Sequence, residues 1–238
     1  MDTKFKDCLP LETVRKIKDI LVNYNIDVEE LPMTINFDRF YSVRIVIRDT
    51  DIGTNGKGLS PEYALASAYG EFVERLQNGM LLANNDKLNF NDSSDGEIKI
   101  SLSSNINTPL ITDVIDDLGN RPQLINLWVA NNKNSDEFLG YKYFSLFSTD
   151  YAILPNIMKI AYGSNGMAAG NSYEEAIVQA CSEIFERYVA KKVINGEIVP
   201  PDIDVEELNT IYPDIREYID FIKSKGDYNI IIKDCSLG

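Results

Sequence analysis

Apolar residues recur at helical spacing between Pro61 and Leu76. Leu65, Tyr69, Phe72, Val73 and Leu76 line one side of the predicted helix, and Ser67, Glu71, Glu74 and Arg75 fall within about one third of its circumference on the other. The same pattern returns downstream, with Ile177, Cys181, Ile184, Phe185 and Tyr188 opposite Gln179, Glu183, Glu186 and Arg187. Each stretch opens with a start signal. Ser60 is an N-cap followed by Pro61 and Glu62, and Ser172 with Glu175 spells a capping box. Two more amphipathic helices are predicted, over 9–25 with Val14, Ile17, Ile20 and Leu21 inward, and over 205–225 with Leu208, Ile211, Ile215, Ile219 and Ile222 inward. Alternation predicts strands over 41–49 (Val43, Ile45 and Ile47 on one face), near Ile98–Leu102, over Leu124–Ala130 and Tyr141–Phe147 across the turn-prone NNKNSDE, and over Tyr228–Lys233. Pro155 argues against a central strand at that point, and Pro200-Pro201 breaks the chain after the second acidic helix. Residues 84–124 are rich in Asn, Asp and Ser and read as a polar insertion rather than a domain boundary.

The two acidic helices are copies. Glu71, Glu74 and Arg75 return as Glu183, Glu186 and Arg187 at a constant offset of 112, as do Ala64 and Ala68 in Ala176 and Ala180. A Gly-rich stretch leads into each, carrying Asn55-Gly56 in the first and Asn165-Gly166 in the second. The predicted fold class is therefore α+β, in two pseudo-symmetric halves, each with a Gly-rich loop and an acidic helix packed on sheet. One reading of the repeated faces is simple solvation. The sharper one brings the helices together, so that Glu71, Glu74, Glu183 and Glu186 hold hard cations suited to oxygen ligands, magnesium foremost. Without cations four such carboxylates would repel one another. Arg75 and Arg187 would then meet phosphate oxygens, with the Gly-rich loops at the helix N-termini adding backbone donors. GTNGKG is not a Walker A loop, which needs four residues between its glycines and a hydroxyl after the lysine, although Lys57 remains a candidate phosphate contact.

Composition narrows the chemistry. A net charge of -14, with no basic run, argues against a nucleic-acid surface. No apolar stretch approaches the ~20 residues of a membrane span, and the charged N-terminus lacks a signal-peptide core, so a cytoplasmic location is expected. Cys8, Cys181 and Cys235 are too widely spaced for a disulfide framework or a zinc pattern. There is no histidine, which rules out Ser–His and Cys–His nucleophile machinery within this sequence. Catalysis would run on carboxylates, charge and positioning, and no catalytic residue is singled out.

These motifs resemble the YcaO family of ATP-dependent enzymes. Its S-x3-E-x2-E-R pattern is met by Ser67, Glu71, Glu74 and Arg75, and its second segment, SNG-x3-G followed by E-A and Q-x3-E-x2-E-R, from Ser164 to Arg187. TNGKG, ALASA-x-GE and SEIFERYV look closest to the enterobacterial type, described as an accessory factor for methylthiolation of a small-subunit ribosomal protein; Lys6-Asp7 with Thr13 resembles the start of that type. The resemblance implies ATP bound with magnesium on Glu71, Glu74, Glu183 and Glu186. It implies nucleotide contacts from Ser67, Gln179 and Arg187, extended to Lys6, Lys57, Asn165 and Glu175. It also implies a peptide or ribosomal-protein substrate whose backbone amide is activated by phosphorylation, a partner enzyme, and compatibility with a homodimer. Other family chemistry, azoline or thioamide formation, and a non-catalytic nucleotide-binding role stand as alternatives. Because a strand exits into Asp234-Cys235-Ser236-Leu237-Gly238, residues 1–238 are expected to be a YcaO domain truncated at its C-terminus.

Overall fold

The computed structural model describes residues 6–32, 40–78, 80–81, 97–101, 137–144, 151–155 and 164–236. They fall into two units, one built from residues up to Asn78 and from Asn165 onward, the other from Gly79–Ser164. The second unit holds an antiparallel sheet, β4 (Glu97–Ser101), β5 (Glu137–Phe144) and β6 (Tyr151–Pro155), in the order β4-β5-β6. Pro155 is the last residue of β6, which lies at the sheet's edge, where a missing N–H is tolerated. The expected strand at 124–130, most of the 84–124 insertion and the end of the 141–147 strand lie outside the described residues.

The first unit starts with α1 (Pro10–Asn23). Val14, Ile17 and Leu21 are buried and α1 packs on α2, whereas Ile20, expected inward, is exposed. A meander follows: β1 (Val28–Pro32), β2 (Tyr41–Ile47) and β3 (Gly53–Gly58), antiparallel in the order β1-β2-β3. The register pairs Ile45 with both Glu30 and Thr54. Glu30 ties three elements together. Its Oε1 accepts the Tyr69 hydroxyl at 2.9 Å and the Lys18 ammonium at 2.6 Å. Burial would push the Glu30 carboxyl up, but the Lys18 and Tyr69 hydrogen bonds and the Lys18 charge outweigh it and hold the group below the ordinary glutamate range.

The first Gly-rich stretch is a strand, which corrects the loop expected at 54–58. Its glycines make room for a helix. A Cβ on Gly56 would stand 2.0 Å from the Ala64 carbonyl oxygen and 2.3 Å from the Ala68 nitrogen, and one on Gly58 2.5 Å from the Ala64 nitrogen. The small residues Ala64 and Ala68 are the contact with β3, and both are fully buried with Tyr69 and Phe72. Thr54, also buried, locks the pair by donating its hydroxyl to the Ala68 carbonyl at 2.9 Å.

α2 (Pro61–Gln77) begins as expected, with Ser60 Oγ accepting from the Tyr63 N–H. The second acidic helix, α3 (Tyr173–Ile194), is capped by Ser172. None of its side chains is fully buried, and Ile184, Phe185 and Tyr188, on the face opposite the charged stripe, are exposed. The single helix expected over 205–225 is two, α4 (Val205–Ile211) and α5 (Pro213–Ser224). Pro213 forces Tyr212 out of helical geometry (φ -130, ψ 81), and Ile211 is exposed while Ile219 is buried. The strand expected over Tyr228–Lys233 is reduced to a single bridge between Asp202 and Lys233.

Candidate functional site

On α2 the 3.6-residue repeat that buries Ala64, Ala68 and Phe72 against β3 places Ser67, Glu71, Glu74 and Arg75 along one flank. On α3, Glu175, Gln179, Glu183 and Arg187 are spaced by four and form one stripe with Glu186 beside it. The two helices carry the same ion pair. Arg75 Nη2 meets Glu71 Oε1 at 3.3 Å, and Arg187 Nη2 meets Glu183 Oε1 at 3.3 Å, each four residues apart. Arg75 Nε also lies 3.7 Å from Glu74.

The negative charge of Glu183 on α3 acts on Glu74 of α2. Glu74, with 14% of its side chain exposed, has its carboxyl pushed up to about 7. Burial is the main cause. The Arg75 charge opposes it, and the negative charges of Glu183 on α3 and of Glu71 add to it. A carboxylate that burial and two like charges disfavour is a position where a bound cation would relieve the repulsion. Among the described residues no three acidic, cysteine or histidine side chains form a ready metal cage. Magnesium seldom uses such cages: it is held by one or two carboxylates together with substrate phosphates and waters. Glu74 on α2 and Glu183 on α3 are carboxylates of the kind that donor set uses.

The other end of the α3 stripe lies under the N-terminal segment. Glu175, 8% exposed, meets Lys6 Nζ at 3.4 Å and accepts the Asp7 N–H at 3.1 Å and the Asn171 amide at 3.2 Å. Burial would raise its carboxyl, but these donors, the Asp7 N–H first, outweigh it and keep the group below the usual range. The capping box read from Ser172 and Glu175 is therefore only half formed. Ser172 Oγ accepts the Glu175 N–H at 3.2 Å, but the Glu175 carboxylate turns to Asp7 rather than back to Ser172. Thr13 on α1 donates to Asn171 Oδ1 at 3.0 Å. Lys6, Thr13, Asn171 and Glu175 are thus one cluster. Asn171, Asp7 and Ser172 were not among the expected site residues, because their contacts span about 160 residues and no local pattern records them.

Two expected contacts stand apart. The buried residues Thr54 and Gly56 alternate with Asn55 and Lys57 along β3, so Lys57 projects from the sheet face opposite α2. Asn165 is exposed in the turn before Gly166, whose φ of 76 suits glycine. Ser67, Gln179 and Glu186 are exposed, and Arg187 is 58% exposed. No described helix is long and apolar enough to cross a membrane.

Comparison with known proteins bears on the same segment. The family described as YcaO cyclodehydratase, ATP- and Mg2+-binding, matches residues 142–238. The chain is 32% identical over 253 residues to the ribosomal protein S12 methylthiotransferase accessory factor YcaO of Escherichia coli, and 32% identical over 249 residues to an uncharacterized protein of Haemophilus influenzae. Each alignment covers 98% of this chain and 42% of the relative, so the chain spans about two fifths of their length. Among solved structures, a heterocyclase in complex with substrate and cofactor aligns with a TM-score of 0.66 at 18% identity, over 98% of this chain and 34% of that one. YcaO from Methanopyrus kandleri, bound with AMPPCP and Mg2+, aligns with a TM-score of 0.53 at 19% identity, over 86% of this chain and 51% of that one. At these identities the likeness is one of fold.

Proposed function

Because the chain belongs to the YcaO family, we propose that α2 and α3 hold magnesium and ATP between their acidic flanks, with Glu71, Glu74, Glu183 and Glu186 as metal ligands. The observation that carries this reading is that the charge of Glu183 on α3 acts on Glu74 of α2, the two helices bearing the same Glu–Arg pair. Arg75 and Arg187 neutralise the flanks through Glu71 and Glu183, and each is placed to turn to phosphate oxygens once a cation takes over the carboxylates. Ser67 and Gln179 line the same flanks, and Lys6 with Glu175 closes the far end of the α3 stripe. Glu175 and Glu183 are eight residues apart, roughly 12 Å along a helix. Lys57 and Asn165 remain in the proposed set as contacts that require the ligand to reach past β3 or into the loop before α3.

The proposed activity is activation of a backbone amide. Its oxygen attacks the γ-phosphorus, ADP leaves, and the phosphorylated amide carbon becomes open to a nucleophile. The chain's part is positioning and charge neutralisation, which suits a site without histidine. The relationship to the Escherichia coli protein favours ribosomal protein S12 as substrate, working with a partner enzyme in the cytoplasm. The test incubates the chain with magnesium-ATP and S12 peptides labelled with heavy oxygen at the backbone carbonyls. ADP formation that depends on peptide, with label passing into phosphate, is the expected result. Nucleotide binding without peptide-dependent ADP would instead identify a non-catalytic nucleotide-binding partner.

A further inference from the structure

Asp7 belongs to no element and to none of the expected contacts, yet it closes a ring of hydrogen bonds at the start of α3. The Asp7 N–H donates to Glu175 Oε2 at 3.1 Å, the Glu175 N–H donates to Ser172 Oγ at 3.2 Å, and the Ser172 hydroxyl donates to the Asp7 carboxylate. Each group is used once in its natural sense: the serine has one hydrogen to give and gives it to the aspartate. Two of the three bonds engage a carboxylate and are of the stronger, charge-assisted kind. Lys6 precedes Asp7, and its ammonium meets the other Glu175 oxygen while the side chain stays 45% exposed, free to meet a ligand. Three residues after Asp7, α1 begins and packs through Val14, Ile17 and Leu21 toward α2. Asp7 therefore links the layer that carries the α2 glutamates to the first turn of the helix that carries the others.

We infer that Asp7 is a positioning residue for the magnesium–nucleotide site. It fixes where the Lys6 ammonium stands and pins the α3 stripe against the α1–α2 layer, without touching nucleotide itself. This role rests on the proposed binding of magnesium and ATP between α2 and α3. The full chain is compared with Asp7→Ala, Asp7→Asn and Lys6→Ala, alone and combined, by anisotropy of a fluorescent ATP analogue with magnesium. Asp7→Ala is expected to weaken binding about tenfold, since it removes an acceptor and leaves the Ser172 hydroxyl without its partner. Asp7→Asn keeps both the backbone N–H and an acceptor oxygen, and is expected to restore most of the loss. Lys6→Ala should cost affinity in the parent but little more in the Asp7→Ala background, a non-additivity that a general loss of stability would not produce. Parent-like binding by Asp7→Ala, or an equal Lys6→Ala effect in both backgrounds, would overturn the inference. Amide hydrogen exchange of Asn171–Glu175 in the nucleotide-free chain reports the ring independently: faster exchange in Asp7→Ala is expected, and unchanged exchange overturns the ring. A parent that binds no nucleotide while its exchange responds to Asp7→Ala would overturn the functional reading, and the positioning role with it, but leave the ring standing.

Discussion

Glu74→Gln is expected to raise the thermal midpoint of the magnesium-free protein by several degrees at pH 7 and to weaken its magnesium-dependent nucleotide binding. The folded carboxyl titrates at about 7, against 4.5 ordinarily, because burial and the charges of Glu183 and Glu71 outweigh Arg75. For an acid the sign is unfavourable to the fold. Between these values the folded chain holds a proton that the unfolded chain has lost, so stability falls as pH rises through the window, and the full cost is present above it. At pH 7 and above it is on the order of 2–3 kcal/mol. Glutamine keeps the shape and removes the charge. At pH 5 the parent is itself mostly protonated at this site, so the advantage of the variant should shrink toward zero. An advantage of equal size at pH 5, or none at pH 7, would contradict an origin in the buried charge. The same proton must leave before a cation is held, so magnesium affinity of the parent should increase as pH rises through neutrality.

The second large effect concerns how the acidic flank is aimed. Gly56→Ala should destabilise the chain by about 3 kcal/mol or more, beyond the usual cost of one added methyl group, because the obstacles are backbone atoms rather than side chains. The new Cβ would fall 2.0 Å from the Ala64 carbonyl oxygen and 2.3 Å from the Ala68 nitrogen. Strand and helix would have to part, carrying Glu71 and Glu74 with them. Gly70→Ala on α2 is the counterpart. Nothing lies within 4 Å of its Cβ position, so the exchange should stabilise the helix by roughly 0.5–1 kcal/mol. Urea unfolding of the two variants checks both signs. Tolerance of alanine at Gly56 would refute the packing of β3 on α2 as its cause.

That pair also shows what the amino-acid sequence can and cannot disclose. The helix after Ser60-Pro61 was legible because its cap and its 3.6-residue repeat are local. Gly53–Gly58 was not, because glycine signals a loop whether the chain needs a positive φ or only the absence of a Cβ, and in β3 it is the latter. β1 escaped notice because Val28-Glu29-Glu30-Leu31 lacks the apolar alternation of a strand. Its Glu30 is accommodated by Lys18 and Tyr69 from other elements. The break at Pro213 was readable in principle, since proline displaces the residue before it, but the apolar repeat across 205–225 masked it. Of the candidate site, the repeated Glu–Arg spacing was visible at once, whereas the ring at Asp7 joins residues about 165 apart and appears only when the chain is folded.

Magnesium-dependent nucleotide binding between α2 and α3 is the central claim, and calorimetric titration of the chain with ATP tests it most directly. Saturable binding in the presence of magnesium is expected, lost when magnesium is chelated and lost again in Glu71→Ala or Glu186→Ala. Absence of binding at millimolar ATP, or binding indifferent to magnesium and to both substitutions, would contradict it.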